Sequence, residues 1–242
     1  MKVKNSLLNY KEIIYQDDDW FKFSMDSVLL ANFVTINMGV KKIIDFACGN
    51  APIPMLLTYR TNALIYGIEY QKCVYDLGIE SIIENGFSGQ IKLINGDVRN
   101  IKDLFELESF DAVTCNPPYF KKNDSSHLND NEVKAIARHE ITLNLEDVVK
   151  SASSILKNRG VFAMVHRTER MIEIIEVMKK HRLEPKKIQF IYPKPGKNSD
   201  LFLIEGVKNG NPGLKMLSPL VLHDSDSDEY TDEIKKLFGN KE

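Results

Sequence analysis

The chain has few cysteines and no long apolar run. The three cysteines, Cys48, Cys73 and Cys115, form no Cys-x-x-Cys pair, so neither a disulfide framework nor a zinc site is expected. No apolar stretch approaches the ~18 residues of a transmembrane helix, and the N-terminal residues lack the apolar segment of a signal peptide. These absences favour a protein of the reducing cytoplasm, with no membrane partner and no metal.

The sequence also lacks a strong charge of either sign. The formal net charge is −2 over 242 residues, so the chain as a whole has no basic character. Binding to a nucleic acid would therefore require local patches of lysine and arginine.

Two common ligand loops are incomplete. The segment Ala47-x-Gly49-x-x-Pro52 lacks two of the three glycines of a dinucleotide fingerprint, which argues against a pyrophosphate on the following helix. A run of alternating aspartates and serines at residues 224–228 begins like a calcium loop. However, Glu229 stands where glycine is needed and Lys235 where the last glutamate is needed, so calcium is not expected.

Strand-like and helix-like segments alternate along most of the chain. The patterns predict strands at residues 41–46, 64–69, 91–94, 110–115, 161–165, 187–192 and 201–207. Helices are predicted at residues 24–35, 71–84, 145–156 and 169–180, and a further helix is predicted to begin near residue 52. This alternation predicts an α/β fold: a doubly wound, mostly parallel sheet with helices on both faces. No helix separates the last two strands, so one antiparallel strand is expected near the C-terminal end. We expect a single domain over residues 1–242, with residues 1–24 as a short extension.

Polar side chains follow the ends of four predicted strands. Asp45 and Glu69 end the first two strands, Asp97 follows the third, and Asn116 follows the fourth. In open α/β sheets, ligands bind at this carboxyl edge. Gly49 lets the backbone approach a ligand closely.

The spacing of these acids suits a nucleoside. Glu69 comes 20 residues after Gly49 in the sequence. An acid with this sequence separation from a glycine-containing loop typically binds ribose hydroxyls in nucleotide-binding α/β folds. A cofactor with an adenosine but no phosphates fits these features, and S-adenosyl-L-methionine is one. Asp97 would then receive the adenine amine, although an ordinary Asn-Gly-Asp turn also explains that residue.

The tetrapeptide Asn116-Pro117-Pro118-Tyr119 is the most informative motif. Two prolines cannot continue a strand, so a rigid turn must follow residue 115. The Asn116 oxygen and a backbone carbonyl of this turn can accept both hydrogens of a planar amine, and Tyr119 offers an aromatic face. The motif therefore indicates methyl transfer to an exocyclic nitrogen, with a proline-rich turn after a core strand as the structural alternative.

Several stretches together resemble a known family. The motifs Asp45-Phe46-Ala47-Cys48-Gly49, Ile68-Glu69, Gly96-Asp97 and Asn116-Pro117-Pro118-Tyr119 are similar to those of class I, Rossmann-like S-adenosylmethionine-dependent N-methyltransferases. The similarity extends to the bacterial tRNA1(Val) adenine-N6 methyltransferases through residues 21–31, 137–140 and 165–170.

The resemblance implies site residues. Asp45, Ala47, Gly49, Glu69, Asp97 and Asn116 would bind the cofactor. The Asn116 oxygen and the Pro117 carbonyl would accept the adenine N6 hydrogens, while Tyr119 would stack on a base that has been moved out of its stack. The family usually has glycine at the position of Ala47, so the additional methyl group is expected to narrow the cofactor loop.

A long connection follows the tetrapeptide. Residues 120–143 contain no convincing strand, and long irregular connections are often binding loops. Lys121, Lys122 and Arg138 are therefore candidates for contacts to tRNA phosphates. A solvated loop with a short helix is the alternative, because acidic residues offset much of this charge.

The sequence is thus interpreted as a cytoplasmic enzyme that methylates an adenine N6 amine in tRNA near the anticodon. Two alternatives remain: methylation of a glutamine amide in a protein, and a non-catalytic module that binds cofactor or RNA. The sequence does not indicate an oligomeric state.

Overall fold

The computed structural model describes residues 2–7, 12–17, 24–117 and 143–238. Eleven strands run in chain order within these ranges: β1 Lys2–Ser6, β2 Ile13–Asp17, β3 Lys42–Phe46, β4 Leu64–Glu69, β5 Ile91–Asn95, β6 Phe110–Cys115, β7 Leu156–Arg167, β8 Leu183–Tyr192, β9 Leu201–Lys208, β10 Lys215–Met216 and β11 Leu220–Val221. Seven α-helices accompany them: α1 Met25–Phe33, α2 Pro52–Leu57, α3 Lys72–Glu84, α4 Ile101–Leu104, α5 Leu145–Ile155, α6 Met171–Lys180 and α7 Asp232–Leu237.

A nine-stranded sheet organises the fold, in the order β10-β8-β9-β7-β6-β3-β4-β5, with β11 also paired to β8. Strands β3 to β7 are mutually parallel where they pair. Strand β9 is antiparallel to both β7 and β8. The predicted doubly wound, mostly parallel sheet with one late antiparallel strand is therefore confirmed.

Helices cover both faces of this sheet. Ile43 and Ala112 face a core that includes side chains of α1, α2, α3 and α7. Ile44 and Val113 face a second core that includes side chains of α4, α5 and α6. Because both faces are buried, the central strands are mostly apolar rather than alternating, as expected for parallel strands, and Asp45 and Thr114 are buried polar exceptions.

An N-terminal hairpin was not predicted. Strands β1 and β2 pair antiparallel and contact α3, where the Tyr15 N–H donates to Ser81 Oγ at 2.9 Å and the Ile13 N–H donates to Asn85 Oδ1 at 2.9 Å. The segment was predicted only as an extension, because the short run Lys-Val-Lys-Asn-Ser carries few apolar residues.

Two strands begin earlier than their patterns indicated. Strand β7 starts at Leu156 and passes through Asn158-Arg159-Gly160, which lie before the predicted start at residue 161. The pairing with β6 shifts register there, and Arg159 has a φ of 67°. Strand β8 includes Pro185, beside another register shift. Bulges of this kind admit residues that a regular ladder excludes.

Two further findings concern the described residues alone. No helix among them is both long and apolar enough to cross a membrane. Within the same ranges, no group of three or more histidine, cysteine, aspartate or glutamate side chains is arranged to hold a metal ion.

Candidate active site

The polar strand ends lie at one edge of the sheet. Strand β3 pairs in parallel with β4 on one side and with β6 on the other. Asp45 is opposite Thr114 in this register, and Phe46 is opposite Cys115. Ala47 and Asn116 are the residues that directly follow these two strands, so the loop after β3 begins beside Asn116.

The loop after β3 has an unusual backbone. Ala47, Gly49 and Ala51 have φ values of 51°, 57° and 70°, so every second residue adopts the left-handed conformation. This conformation is free of strain for glycine, but costs about 1–2 kcal/mol for a residue with a Cβ atom. No heavy atom lies within 4 Å of where a Cβ would be at Gly49, so the backbone faces open space there.

Several hydrogen bonds hold this loop in place. The Cys48 N–H donates to the Ile68 carbonyl at 3.1 Å, and the Asn50 side-chain amide donates to the Tyr15 carbonyl of the hairpin at 2.8 Å. A Cβ atom at Gly67 would lie 2.7 Å from Cys48 Sγ, so the glycine in β4 leaves the space that the cysteine fills. Contacts within the protein therefore determine the conformation of this loop before any ligand binds.

Glu69 connects this loop to β4. Its Oε2 accepts from the Gly49 N–H at 3.0 Å, and its Oε1 accepts from the Gln71 N–H at 2.8 Å. Burial raises the pKa of Glu69, and the backbone donors oppose that rise. Each carboxylate oxygen has a further lone pair, so the predicted ribose contact remains compatible with this geometry.

Asp45 is the most perturbed acid at this edge. It is 1% exposed, and Oδ1 accepts from the Thr114 hydroxyl at 2.6 Å. Oδ2 is buried and has no hydrogen-bond partner. Burial raises the pKa of Asp45 to about 8, while the bond from Thr114 opposes the rise and the charge of Glu69 adds to it.

Asp97 forms local hydrogen bonds that its predicted role in adenine binding did not include. Its carboxylate caps a 3₁₀ turn at Val98–Asn100 by accepting from the Arg99 N–H. It also accepts from Arg99 Nε at 3.0 Å and Nη2 at 2.6 Å. These bonds from Arg99 lower the pKa of Asp97. Asp97 thus has a local structural role, as the cap of the turn that follows it rather than in the Asn-Gly-Asp turn that the sequence suggested, and the adenine contact stays a prediction.

Asn116 is held by a residue that sequence reasoning did not assign to the site. The Asn116 side-chain N–H donates to Ser27 Oγ, in the first turns of α1, at 3.3 Å. Asn116 is half-buried and Pro117 is buried. Tyr119, Lys121, Lys122 and Arg138 lie outside the described residues, so their proposed contacts stay predictions.

Cys115 precedes Asn116 but is unsuited to nucleophilic attack. It is fully buried, and burial raises the pKa of its thiol well above the ordinary value. A thiol without access or thiolate character is chemically inert. This environment is that of a core residue at the end of a strand.

Comparison with protein families decides the class of the protein. A family model described as a methyltransferase domain matches residues 39–202. The chain belongs to this methyltransferase family. The match runs from before β3 to the second residue of β9, and therefore includes the strand ends at which Asp45, Glu69 and Asn116 lie.

Two curated relatives of this methyltransferase carry the same name. A tRNA1(Val) (adenine(37)-N6)-methyltransferase of Aliivibrio salmonicida is 24% identical over 215 residues, covering 88% of this chain and 87% of its own. The protein of the same name from Bacteroides fragilis strain YCH46 is 24% identical over 226 residues, covering 93% and 92%.

Solved methyltransferase structures share the fold. A predicted O-methyltransferase from Agrobacterium tumefaciens superposes with a TM-score of 0.72 at 23% identity, covering 89% of this chain and 96% of its own. A geranyl diphosphate C-methyltransferase from Streptomyces coelicolor gives 0.57 at 12% identity, covering 75% and 76%. The predicted class I methyltransferase fold is thereby confirmed.

The buried acid Asp45 generates a prediction about pH. Its folded pKa of about 8 exceeds the ordinary value of 3.8, so folding favours the protonated form. Its contribution to stability is complete below about pH 4 and is lost progressively as the pH rises to about 8. Asp45→Asn, which remains neutral, should therefore lose less stability than the wild type between pH 5 and pH 8.

Denaturant unfolding of the ligand-free proteins at both pH values measures this difference. Over this range the free energy of unfolding should fall more steeply in the wild type than in the variant, by up to about 1.4 kcal/mol per pH unit, because only the wild type has a carboxyl that holds its proton in the folded state and loses it on unfolding. The same pH dependence in both proteins would show that Asp45 is not a buried, perturbed acid.

Proposed function

We propose that this methyltransferase transfers the methyl group of S-adenosyl-L-methionine to the N6 amine of an adenine in tRNA, near the anticodon. The observation that carries the proposal is the adjacency of two strand ends. The loop after β3, with its left-handed residues, and the Asn116-Pro117 segment after β6 follow neighbouring strands that pair in register. A methyl donor held by the first would therefore lie beside an amine held by the second.

The residues after β3 and β4 fit this cofactor. The unpaired buried Oδ2 of Asp45 suits a cationic donor such as the cofactor ammonium group. Glu69 retains acceptor capacity for ribose hydroxyls, and the open space at Gly49 admits close approach. The loop lacks the glycines of a pyrophosphate site, which agrees with a cofactor without phosphates. When bound, S-adenosylmethionine supplies an electrophilic methyl group on a sulfonium.

The acceptor side acts by positioning. Asn116 Oδ1 and the Pro117 carbonyl accept hydrogen bonds from the two N6 hydrogens. These bonds favour a pyramidal nitrogen, whose lone pair points to one side of the base and towards the methyl group. Tyr119 holds the ring by stacking, since a base must leave its stack to be reached. The nitrogen would take the methyl group directly as the bond from the methyl carbon to sulfur breaks, which leaves a neutral thioether, and it would then lose one proton to water. No covalent enzyme intermediate is needed, in agreement with the buried, protonated thiol of Cys115.

The names of the relatives support tRNA as the substrate. Lys121, Lys122 and Arg138 are the proposed phosphate contacts. Among the described basic residues, Lys197 is a further candidate for a phosphate contact. It follows β8, and the carboxyl end of β8 lies on the same edge of the sheet as that of β6. Lys187 has a different role, because it pairs with Glu205 at 3.2 Å in a largely buried position.

Labelled S-adenosylmethionine tests the substrate class. The protein is incubated separately with total tRNA and with total cell protein, and the incorporated label is counted. We expect label in tRNA. Label confined to protein would refute the proposal and favour a protein amide as the acceptor.

A first prediction concerns Glu69. Glu69→Ala removes acceptors for both the cofactor and the Gly49 N–H. It should weaken cofactor binding by roughly 1–3 kcal/mol, the range for hydrogen bonds to charged groups, while the circular dichroism spectrum is retained. Calorimetric titration measures the affinity. Glu80→Ala, which removes an exposed partner of Lys2, is the control and should bind normally. Unchanged affinity in Glu69→Ala would exclude Glu69 from the cofactor site.

A second prediction concerns the acceptor motif. Asn116→Ala should lower kcat by about 100- to 1000-fold, as loss of a preorganised polar group does, and leave cofactor affinity nearly intact. Tyr119→Ala should impair base docking, whereas Tyr119→Phe should be mild because stacking requires the ring alone. Steady-state kinetics on tRNA distinguish these effects. Equal damage from both Tyr119 variants would replace the stacking role with a role for the hydroxyl.

A third prediction concerns the proposed phosphate contacts. Reversing the charge of Lys121 and Lys122 together should weaken tRNA binding and flatten its dependence on salt, because fewer counterions are released. Cofactor binding should be unaffected. Binding isotherms at several salt concentrations measure the slope, and a slope equal to that of the wild type would exclude both lysines from phosphate contact.

A further inference from the structure

Helix α1 brings a buried hydroxyl to the acceptor motif. Ser27 is 3% exposed, and its Oγ accepts the Asn116 side-chain N–H at 3.3 Å across 89 residues of sequence. We infer that Ser27 is a positioning residue that sets the orientation of the Asn116 amide for catalysis. The inference rests on the proposed function, in which Asn116 Oδ1 accepts a hydrogen from the substrate amine.

The orientation of this amide decides whether the site can work. An asparagine amide carries an acceptor oxygen on one side and two N–H donors on the other. Rotating it by half a turn would present donors to an amine that also presents donors, and the contact would become repulsive. A partner that accepts from Nδ2 directs the nitrogen towards α1. Oδ1 then points to the other side of the amide, where an amine can be bound.

Ser27 is a fixed partner because α1 is held at its other end. Glu205 accepts from the Thr35 N–H and from the Thr35 hydroxyl, each at 2.7 Å. Lys187 Nζ donates to the Phe33 carbonyl at 2.8 Å and pairs with Glu205 at 3.2 Å. These groups hold the C-terminal end of α1 in place, and buried side chains along the helix pack its remaining turns against the core.

The length of the bond indicates the size of the effect. At 3.3 Å the contact is longer than the usual side-chain hydrogen bond, so a complete loss of activity is not expected. Ser27→Ala should lower kcat about tenfold, while the KM for tRNA and the cofactor Kd change less than about twofold. Ser27→Thr, which keeps the hydroxyl, should retain most of the activity.

Ser81 provides a matched control for the loss of a buried serine hydroxyl. It is fully buried in α3, accepts from the Tyr15 N–H and donates to the Leu77 carbonyl, and it lies on the hairpin side of the fold. Ser81→Ala should reduce stability without changing the kcat of the folded protein. If Ser81→Ala lowered kcat as much as Ser27→Ala does, the effect of Ser27→Ala would reflect a general loss of stability and not the positioning of Asn116.

A double-variant cycle tests whether the two residues act together. In an Asn116→Ala background, Ser27→Ala should cause no further loss of single-turnover rate, because the group that it orients is gone. An equal tenfold loss in both backgrounds would overturn the inference, as would an unchanged kcat for Ser27→Ala alone.

The hydrogen bond can also be measured without turnover. The Asn116 side-chain NH₂ resonances of ¹⁵N-labelled protein should shift in Ser27→Ala and stay close to their wild-type positions in Ser27→Thr and Ser81→Ala. Unshifted resonances in Ser27→Ala would refute the contact itself. If wild-type protein failed to methylate tRNA, the proposed function would fail, and the resonances would still decide whether Ser27 orients Asn116.

Discussion

The parallel register of β3 with its two neighbours determines the position of every polar group in the candidate site. Pairing of Asp45 with Thr114 on β6 and with Gly67 on β4 brings three strand ends to one edge. A shift by one residue would reverse the direction of each side chain. Asp45 would then lose the bond from Thr114, and Asn116 would no longer lie beside the loop after β3.

The cofactor side of this edge is stabilised less well than the rest of the core. Asp45 has a buried oxygen without a partner, and Ala47 and Ala51 adopt a conformation that costs energy for any residue with a Cβ atom. Strain and unsatisfied groups of this kind persist where the surrounding structure determines them, and they often mark functional sites. Here Glu69, Asn50 and the packing of Cys48 against Gly67 supply that support. A bound ligand would satisfy groups that the protein alone leaves unpaired.

The sequence predicts those parts of the structure that depend on local pattern. The strands at Leu64–Glu69 and Phe110–Cys115 have the predicted bounds, because an apolar run ends there at a polar residue or a proline pair. The hairpin, the extension of β7 through Gly160 and the inclusion of Pro185 in β8 were not predictable in this way. Their conformations depend on pairing with distant segments, which outweighs local turn propensity.

The site shows the same limit. The residue types at the strand ends indicated the chemistry, since their chain positions follow from the strand pattern. The partner of Asn116 did not emerge, because Ser27 lies 89 residues away on a helix whose packing no local pattern reveals. The contacts of Arg99 with Asp97 span only two residues, and a capping aspartate two residues before an arginine could have indicated them.

The central claim is that Asn116 and Pro117, which follow β6, bind the N6 amine of an adenine, and the identity of the methylated nucleoside tests it most directly. Transfer RNA methylated by the protein is digested to nucleosides, which are separated by chromatography and identified by mass spectrometry against standards. The account predicts that N6-methyladenosine is gained. A gain of 1-methyladenosine, or of a methylated cytosine or guanine alone, would contradict it. A ring nitrogen has no pair of hydrogens for Asn116 and Pro117 to accept, and the other bases would require a different fit.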